Sequence, residues 1–192
     1  MATLSVGGTT VFDGSATQGL TTATTFPAGM PIKVHSATYT GHAQIATANT
    51  FTTVGGTSTG NLSITTGTPA SSGSKYLFMA HISHSITNAG CTTFRFYDGS
   101  TAIDDALSDA SGVIVRGSFG PGHWSTGPST YPVVVSSMNY LYSPASALSL
   151  TLSVKGTMDA ASVQYYNRPS SATDASWLSR SICTLTIMEI AG

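Results

Sequence analysis

The sequence predicts an all-β protein, a β-sandwich of the jelly-roll kind. Apolar residues alternate with Ser and Thr in short runs along the 192 residues, and a period of two is typical of strands. Turn pairs such as Asp98-Gly99 and Gly127-Pro128 separate these runs. Because about ten to twelve short strands follow one another without an amphipathic helix between them, we expect two packed sheets.

The N-terminal segment, residues 1–29, is predicted to be an attachment arm. Thr3–Val6 and Thr9–Phe12 flank Gly7-Gly8, which is the signal of a two-residue hairpin turn. The rest of the segment is rich in Thr and Gly and poor in large apolar residues, so it is expected to gain order against a partner. Residues 30–192 are then the jelly-roll β-sandwich domain.

Two runs in the body have distinctive faces. Lys75–Ser85 is apolar on both faces, which predicts a central strand covered on both sides, and Leu148–Lys155 alternates strictly, which predicts one dry and one wet face. Short helical turns fit Ala102–Ala110 and Ala172–Leu178. The other strands are expected at Ile32–Tyr39, Thr50–Val54, Asn61–Thr66, Thr92–Tyr97, Gly112–Ser118, Val133–Tyr140, Ser162–Tyr166 and Arg180–Ile190.

The composition is unusually low in charge. Charged residues make up 8% of the chain and the net charge is −1, whereas about 25% is typical of soluble domains. No basic field exists to hold nucleic acid or anionic lipid, so no nucleic-acid partner is expected. A surface with so few charges favours self-association or a place in a larger assembly, although a monomer coated with Ser and Thr has the same composition.

The cysteines and the N-terminal residues indicate the compartment in which the chain is made. Cys91 and Cys183 either form a disulfide or stay as buried free thiols. Free thiols are favoured because a core of this size is stable without a disulfide. The first residues lack the basic and apolar regions of a signal peptide. No apolar run reaches the roughly 18 residues of a membrane span, so synthesis in a cytoplasm without membrane insertion is expected.

No catalytic motif is present. The chain has no zinc spacing, Gly-x-Ser-x-Gly motif, phosphate loop or dinucleotide fingerprint. His81 and His84 are three residues apart on a strand and therefore point to opposite faces. Asp104, Asp105 and Asp109 offer oxygen ligands for Ca²⁺ without the spacing of an EF-hand, and the favoured alternative is a solvated acidic turn. No enzyme, cofactor or metal site is predicted.

Aromatic residues on loops are the candidate contacts with a ligand or partner. They lie in the stretches Ser118–Tyr131 and Asn167–Trp177 and next to them. Such side chains suit stacking on sugars or contact with proteins, and the favoured alternative is packing over the ends of the sandwich. The candidate residues are Phe119, His123, Trp124, Tyr131, Tyr166, Arg168 and Trp177.

Six motifs occur in an order typical of one family. They are Phe26-Pro27-Ala28-Gly29, Ser71-Ser72-Gly73-Ser74-Lys75, Arg95-Phe96-Tyr97-Asp98-Gly99, Tyr140-Leu141-Tyr142-Ser143-Pro144-Ala145, Tyr166-Asn167-Arg168 and Thr186-Ile187-Met188-Glu189-Ile190-Ala191. Over about residues 26–192 the chain resembles the compact C-terminal domains of tailed-phage virion proteins of the tail-fibre or decoration type. It departs from them at Tyr142, where the family often has Asp, and in the longer loop Gly120–Pro132. The resemblance implies a C1q/TNF-like jelly roll, a homotrimer with the last strand near its axis, and a location in the virion.

Glu189 is the one Glu of the chain and lies in the last predicted strand. Alternation places it on the face of Ile187 and Ala191, where a carboxylate needs a partner. We expect Glu189 and Met188 to lie at a trimer seam or around a buried polar group, or in a wet groove between subunits, rather than in a glycosidase site, which needs two carboxylates. The candidate partners of the carboxylate are Arg95, Arg116 and Arg168.

The preferred functional hypothesis is a non-enzymatic virion structural protein: a head decoration, short fibre or knob. Its partners are other copies of itself and a capsid or tail protein of the same virion, which the arm binds. The alternative is a receptor-binding adhesin that recognises a host cell-surface glycan through the loop aromatics. A third hypothesis, a tail depolymerase, is disfavoured by the few carboxylates.

Overall fold

A computed structural model of the chain describes residues 4–6, 9–12, 26–45, 47–56, 60–86, 91–112, 115–120, 133–146, 148–158, 163–169 and 180–192. These residues contain strands, one 3-10 turn (Asp104–Ala106) and no α-helix. The strands are β1 (Leu4–Val6), β2 (Thr9–Phe12), β3 (Pro31–Tyr39), β4 (Gln44–Ile45), β5 (Thr52–Thr53), β6 (Ser63–Thr65), β7 (Lys75–Ile86), β8 (Thr92–Asp98), β9 (Thr101–Ala102), β10 (Val134–Tyr142), β11 (Thr151–Met158), β12 (Gln164–Tyr166) and β13 (Cys183–Ile190).

The strands of the body form two antiparallel sheets, as expected of an all-β sandwich. Sheet I has the order β3-β13-β7-β12-β4, and β10 also pairs with β7. Sheet II has the order β5-β11-β8-β9, and β6 also pairs with β11. The hairpin β1–β2 predicted around Gly7-Gly8 is present, and its strands pair with each other and with neither sheet.

The core lies between the two sheets and follows from the alternation of the sequence. Phe78 of sheet I and Phe96 of sheet II meet with ring centroids 4.6 Å apart. Each large apolar side chain buried in this way contributes about 1.5–3 kcal/mol to folding. The largest side chains that are fully buried are Tyr76, Tyr166, Phe78, Phe94, Phe96, Leu62, Ile82, Leu152, Met158, Leu185 and Ile187.

Two predicted elements differ from the structure. The strand Gly112–Ser118 is wrong for the residues described: the amides of Ser118 and Phe119 both donate to the carbonyl of Phe94, and Phe119 makes one isolated bridge instead of a ladder. The helical turn predicted within Ala102–Ala110 is limited to the 3-10 turn, and its first residue, Ala102, belongs to β9. The turn predicted at Ala172–Leu178 lies outside the described residues.

Strand β11 begins three residues later than predicted and is more buried. It begins at Thr151, so Leu148 lies before the strand and is 66% exposed. Its supposed wet face is partly covered, since Ser153 is buried opposite Tyr97 of β8. The Tyr97 ring is itself covered by the ammonium group of Lys155, 4.1 Å from its centroid.

Strand β7 is central in sheet I, as predicted, because β10 pairs along one of its sides and β13 and β12 along the other. Its core face is buried from Tyr76 to His84. On its outer face, Leu77 and Met79 are half-buried and His81 is exposed, whereas Ser83 and Ser85 are fully buried. The described part of the chain therefore covers this second face only at the end of β7.

Candidate functional site

A cleft opens where the edges of the two sheets face each other. Its volume is about 450 Å³. Its walls come from the end of β8, from β9 with the 3-10 turn, and from the last residue of β10. The lining residues are Asp98, Thr101, Ala102, Ile103, Asp104, Asp105 and Tyr142.

One tyrosine, Tyr142, lies in this cleft beside the carboxylates, and a second, Tyr140, lies two residues before it on β10. The Tyr142 hydroxyl donates to Asp98 Oδ2 over 2.9 Å. Burial, followed by the hydrogen bond to Asp98 and its charge, raises the pKa of Tyr142 to about 12. Burial and the nearby Asp105 carboxylate also raise the pKa of Tyr140. The phenols therefore stay protonated at neutral pH, so this site can bind hydroxyl groups but holds no phenolate base.

The acidic residues around the cleft are spread out. Among the residues described, no group of three or more His, Cys, Asp or Glu side chains is arranged to hold a metal ion. Asp104 and Asp105 line the cleft and Asp109 does not, and Asp104 Oδ1 is 3.9 Å from Arg116 Nη1. The three carboxylates considered for calcium, Asp104, Asp105 and Asp109, are therefore not brought together in one cluster.

Glu189 is fully buried, and its face was predicted correctly, since Ile187 and Ala191 are buried beside it. Its Oε1 accepts hydrogen bonds from the Ser74 hydroxyl (2.7 Å) and from a backbone amide, that of Ala70 (2.6 Å). Its Oε2 lies 3.5 Å from Lys33 Nζ.

The predicted arginine partners of Glu189 are wrong. The register of β13 on β3 places Lys33 directly opposite Glu189, whereas Arg95 donates to the carbonyl of Arg116. The pairing of these two strands follows from the fold, so the sequence held no signal that distinguished Lys33 from the arginines. The carboxylate therefore has a structural role: its hydrogen bonds to Ala70 and Ser74 link the turn before β7 to the last strand, β13.

A second buried polar group combines residue types used in catalysis. His84 Nε2 is 2.8 Å from Ser136 Oγ, and neither residue is open to solvent, with 0% and 4% exposure. The His84 ring packs edge-on against Phe94 with centroids 5.0 Å apart. A serine and histidine pair can form a nucleophile and its base, but a substrate cannot reach this one. As predicted, His81 lies on the opposite face and is exposed.

The described loop candidates are packing residues. Phe119 stacks on Phe94 with centroids 5.2 Å apart and closes one end of the core. Tyr166 is 0% exposed, so its assignment as a contact residue is corrected: its ring is part of the core. The Arg168 guanidinium lies 4.3 Å above the Tyr165 ring and remains half-buried. His123, Trp124, Tyr131 and Trp177 lie outside the described residues.

Cys91 and Cys183 do not form a disulfide, and one prediction about them is wrong. Cys91 is exposed and not buried, whereas Cys183 is buried as expected. The Cys183 thiol donates to Asn167 Oδ1 over 3.0 Å. Burial raises the pKa of Cys183 to about 12, so this thiol is unreactive.

The outer face of sheet I carries an apolar row that the sequence analysis missed. Strand register aligns Val34, Met188, Leu77 and Leu141 across β3, β13, β7 and β10. Val34 is 61% exposed and Leu141 47% exposed, while Met188 and Leu77 are half-buried. We call these four residues the outer apolar row. Only strand pairing brings them together, although the apolar second face of β7 was a partial signal.

Comparison with known proteins adds no relative. No protein-family model matches this chain, and no curated protein is similar enough to be matched. Within the described residues, no helix is both long and apolar enough to cross a bilayer.

Proposed function

We propose that this chain is a non-enzymatic structural protein of a tailed-phage virion, either a head decoration, a short fibre or a knob. In this proposal the body is a homotrimeric jelly roll, and residues 1–29 attach it to a capsid or tail protein. The outer apolar row is the observation that carries the proposal.

The order of strands supports the jelly-roll assignment. The chain passes from sheet I (β3) to sheet II (β5 and β6), back to β7, over to β8 and β9, back to β10, and on to β11 before it ends in sheet I. Repeated crossing between two antiparallel sheets is the pattern of a jelly roll. The six ordered sequence motifs lie on the strands of these two sheets or next to them.

The outer apolar row supports assembly from several copies. The next row across the same four strands consists of Ser36, Thr186, Met79 and Asn139, so two adjacent rows carry no charge. Contiguous apolar surface rimmed by neutral polar residues is typical of interaction sites. Copies of a neutral face also meet without like-charge repulsion, which fits a chain with 8% charged residues.

The N-terminal hairpin supports an attachment role for the arm. Among the strands that the structure describes, β1 and β2 pair with each other and with no strand of the body. A lone two-stranded hairpin is at best marginally stable in water. In this proposal, docking on another protein of the particle buries the hairpin and stabilises it.

Light scattering on the purified chain tests the assembly. The double variant Val34→Lys/Leu77→Lys places charges in the outer apolar row, and we expect it to lower the particle mass threefold. Leu148→Lys is the matched control, because Leu148 is exposed, apolar and outside the row, and it should leave the mass unchanged. A wild-type monomer, or a row variant with unaltered mass, contradicts the trimer.

A truncation tests the arm. A chain without residues 1–29 should keep its oligomeric mass and be missing from purified virions by mass spectrometry. Incorporation of the truncated chain at the wild-type level contradicts attachment through this segment.

The cleft favours a second candidate, the glycan-binding adhesin. Carboxylates accept hydrogen bonds from sugar hydroxyls, the Tyr142 oxygen can accept a further one while it donates to Asp98, and a volume of about 450 Å³ is within the usual range of ligand sites. In this alternative the candidate sugar contacts are Asp98, Asp105 and Tyr142 instead of the loop aromatics predicted from sequence.

Glycan-array binding by the wild type and by Asp98→Asn/Tyr142→Phe tests the adhesin. Binding that this variant loses, with particle incorporation unchanged, supports it. Retention of glycan binding, or absence of binding in the wild type, contradicts it.

A further inference from the structure

Strand β10 has a free edge. Its nine residues pair with β7 in continuous register from Val134 to Tyr142, without a bulge. In the described part of the chain, no strand pairs with its other side. A free edge presents a row of amide and carbonyl groups ready to pair with another strand.

This edge lacks the features that keep edge strands apart. Its sequence, VVSSMNYLY, contains no charged residue, no Pro and no Gly. The other long edge of sheet I, β3, begins at Pro31, carries Lys33 and has a register shift next to them. Charge, proline and irregular register are the usual protections of an edge, so β3 is protected and β10 is not.

The exposed residues of β10 are complementary to those of a second, antiparallel copy. A two-fold axis at Met138 would place Val135 opposite the second copy's Leu141, and Ser137 opposite its Asn139. Val135 is 50% exposed and Leu141 47% exposed, so each would cover the other, twice in the pair. Polar residues would meet polar residues at the centre, and no charge would be buried.

No described strand of sheet II pairs with this edge. Strand β9 pairs with Asp98, the residue that accepts a hydrogen bond from Tyr142 of β10, and it is two residues long, whereas β10 is nine. Within the described residues, the outward main-chain groups of β10 are therefore not paired with sheet II.

We propose that β10 is a self-pairing edge, at which two copies of this chain join their six-stranded sheets as antiparallel strands. The contact is isologous, with the same surface used by both copies, and its main-chain hydrogen bonds are those of β-strand addition. It shares Leu141 with the outer apolar row but uses the edge of β10, and it does not depend on any place in a virion.

Two charge variants test the register of the pair. Ser137→Lys/Asn139→Lys would set lysines directly opposite each other twice, and like charges in that position are destabilising. Ser137→Lys/Asn139→Glu would make two opposite-charge pairs instead. Both residues are exposed, so the fold is retained. We expect the first variant to halve the mass measured by light scattering and the second to keep the wild-type mass.

A covalent trap gives an independent readout. In a Cys91→Ser background, Ser137→Cys/Asn139→Cys should yield a disulfide-linked dimer on oxidation, since directly opposite residues of antiparallel strands have Cα atoms about 4.5–5.5 Å apart. The matched control is Ser36→Cys/Thr38→Cys, two exposed positions with the same spacing on the other edge, β3, and it should not dimerise.

The outcomes separate this proposal from the trimer. A twofold loss of mass in Ser137→Lys/Asn139→Lys reports the pairing of β10 edges. A threefold loss of mass in Val34→Lys/Leu77→Lys reports the trimer contact. The self-pairing is overturned if the wild type and the Lys/Lys variant have equal masses. It is also overturned if the Lys/Glu variant dissociates as much as the Lys/Lys variant. The absence of a covalent dimer overturns it as well and would indicate that a different protein pairs with this edge.

Discussion

The His84 imidazole and the Ser136 hydroxyl join β7 to β10 from the core side, with Nε2 and Oγ 2.8 Å apart. Thr92 Oγ1 lies 3.4 Å from the other ring nitrogen. The polar pair therefore holds the edge strand of sheet I in place where no water reaches it.

Ser136→Ala should lower the free energy of unfolding by about 1–3 kcal/mol, because it leaves a buried ring nitrogen without this partner. Urea denaturation measures the change. The double variant His84→Phe/Ser136→Ala should cost less than the sum of the two single variants, since it removes both halves of the hydrogen bond. Additive effects would show that the two side chains are not coupled.

Glu189→Ala should destabilise the protein more than Glu189→Gln. Alanine leaves the Ser74 hydroxyl and the Ala70 amide without their acceptor, at about 1–3 kcal/mol for each buried donor. The glutamine carbonyl can still accept both bonds, so its cost is the loss of the contact with Lys33. Denaturant midpoints of the two variants measure the order, and the reverse order would contradict this role of the carboxylate.

Tyr142 should titrate later than an ordinary tyrosine. Its pKa rises from 10.0 to about 12 on folding, so the folded state holds the proton more tightly. The associated stability is fully present below pH 10 and is lost between pH 10 and 12. The tyrosinate absorbance of the wild type minus that of Tyr142→Phe should have its midpoint near pH 12. A midpoint near pH 10 would show that the phenol is not shielded.

The two thiols should differ in reactivity. Cys91 is exposed and Cys183 is buried, with a pKa raised to about 12. A thiol reagent should therefore label one cysteine per native chain within minutes and the second only in denaturant. Cys91→Ser should remove the native signal, and rapid labelling that persists in this variant would place Cys183 at the surface.

Local patterns predicted which residues form strands and which faces they bury. Leu185, Ile187 and Glu189 lie on one buried face because alternation is a property of the strand itself. The errors came from residues whose neighbours decide their state. Tyr166 was a candidate surface contact, with packing as the favoured alternative, and is a core residue. Gly112–Ser118 was predicted as a strand, although the described bridge to β8 is made by the next residue, Phe119.

The sequence by itself determined the all-β class, the two-faced strands and the absence of a strong charge field, since composition and period-two alternation act within a few residues. The tertiary structure alone decided that Lys33 faces Glu189, that Ser136 meets His84, and that Asp98 accepts a hydrogen bond from Tyr142. Each of these contacts joins different strands far apart in the chain. Their positions follow from pairing and register, which are set by the burial of the whole sandwich and not by any local run of residues.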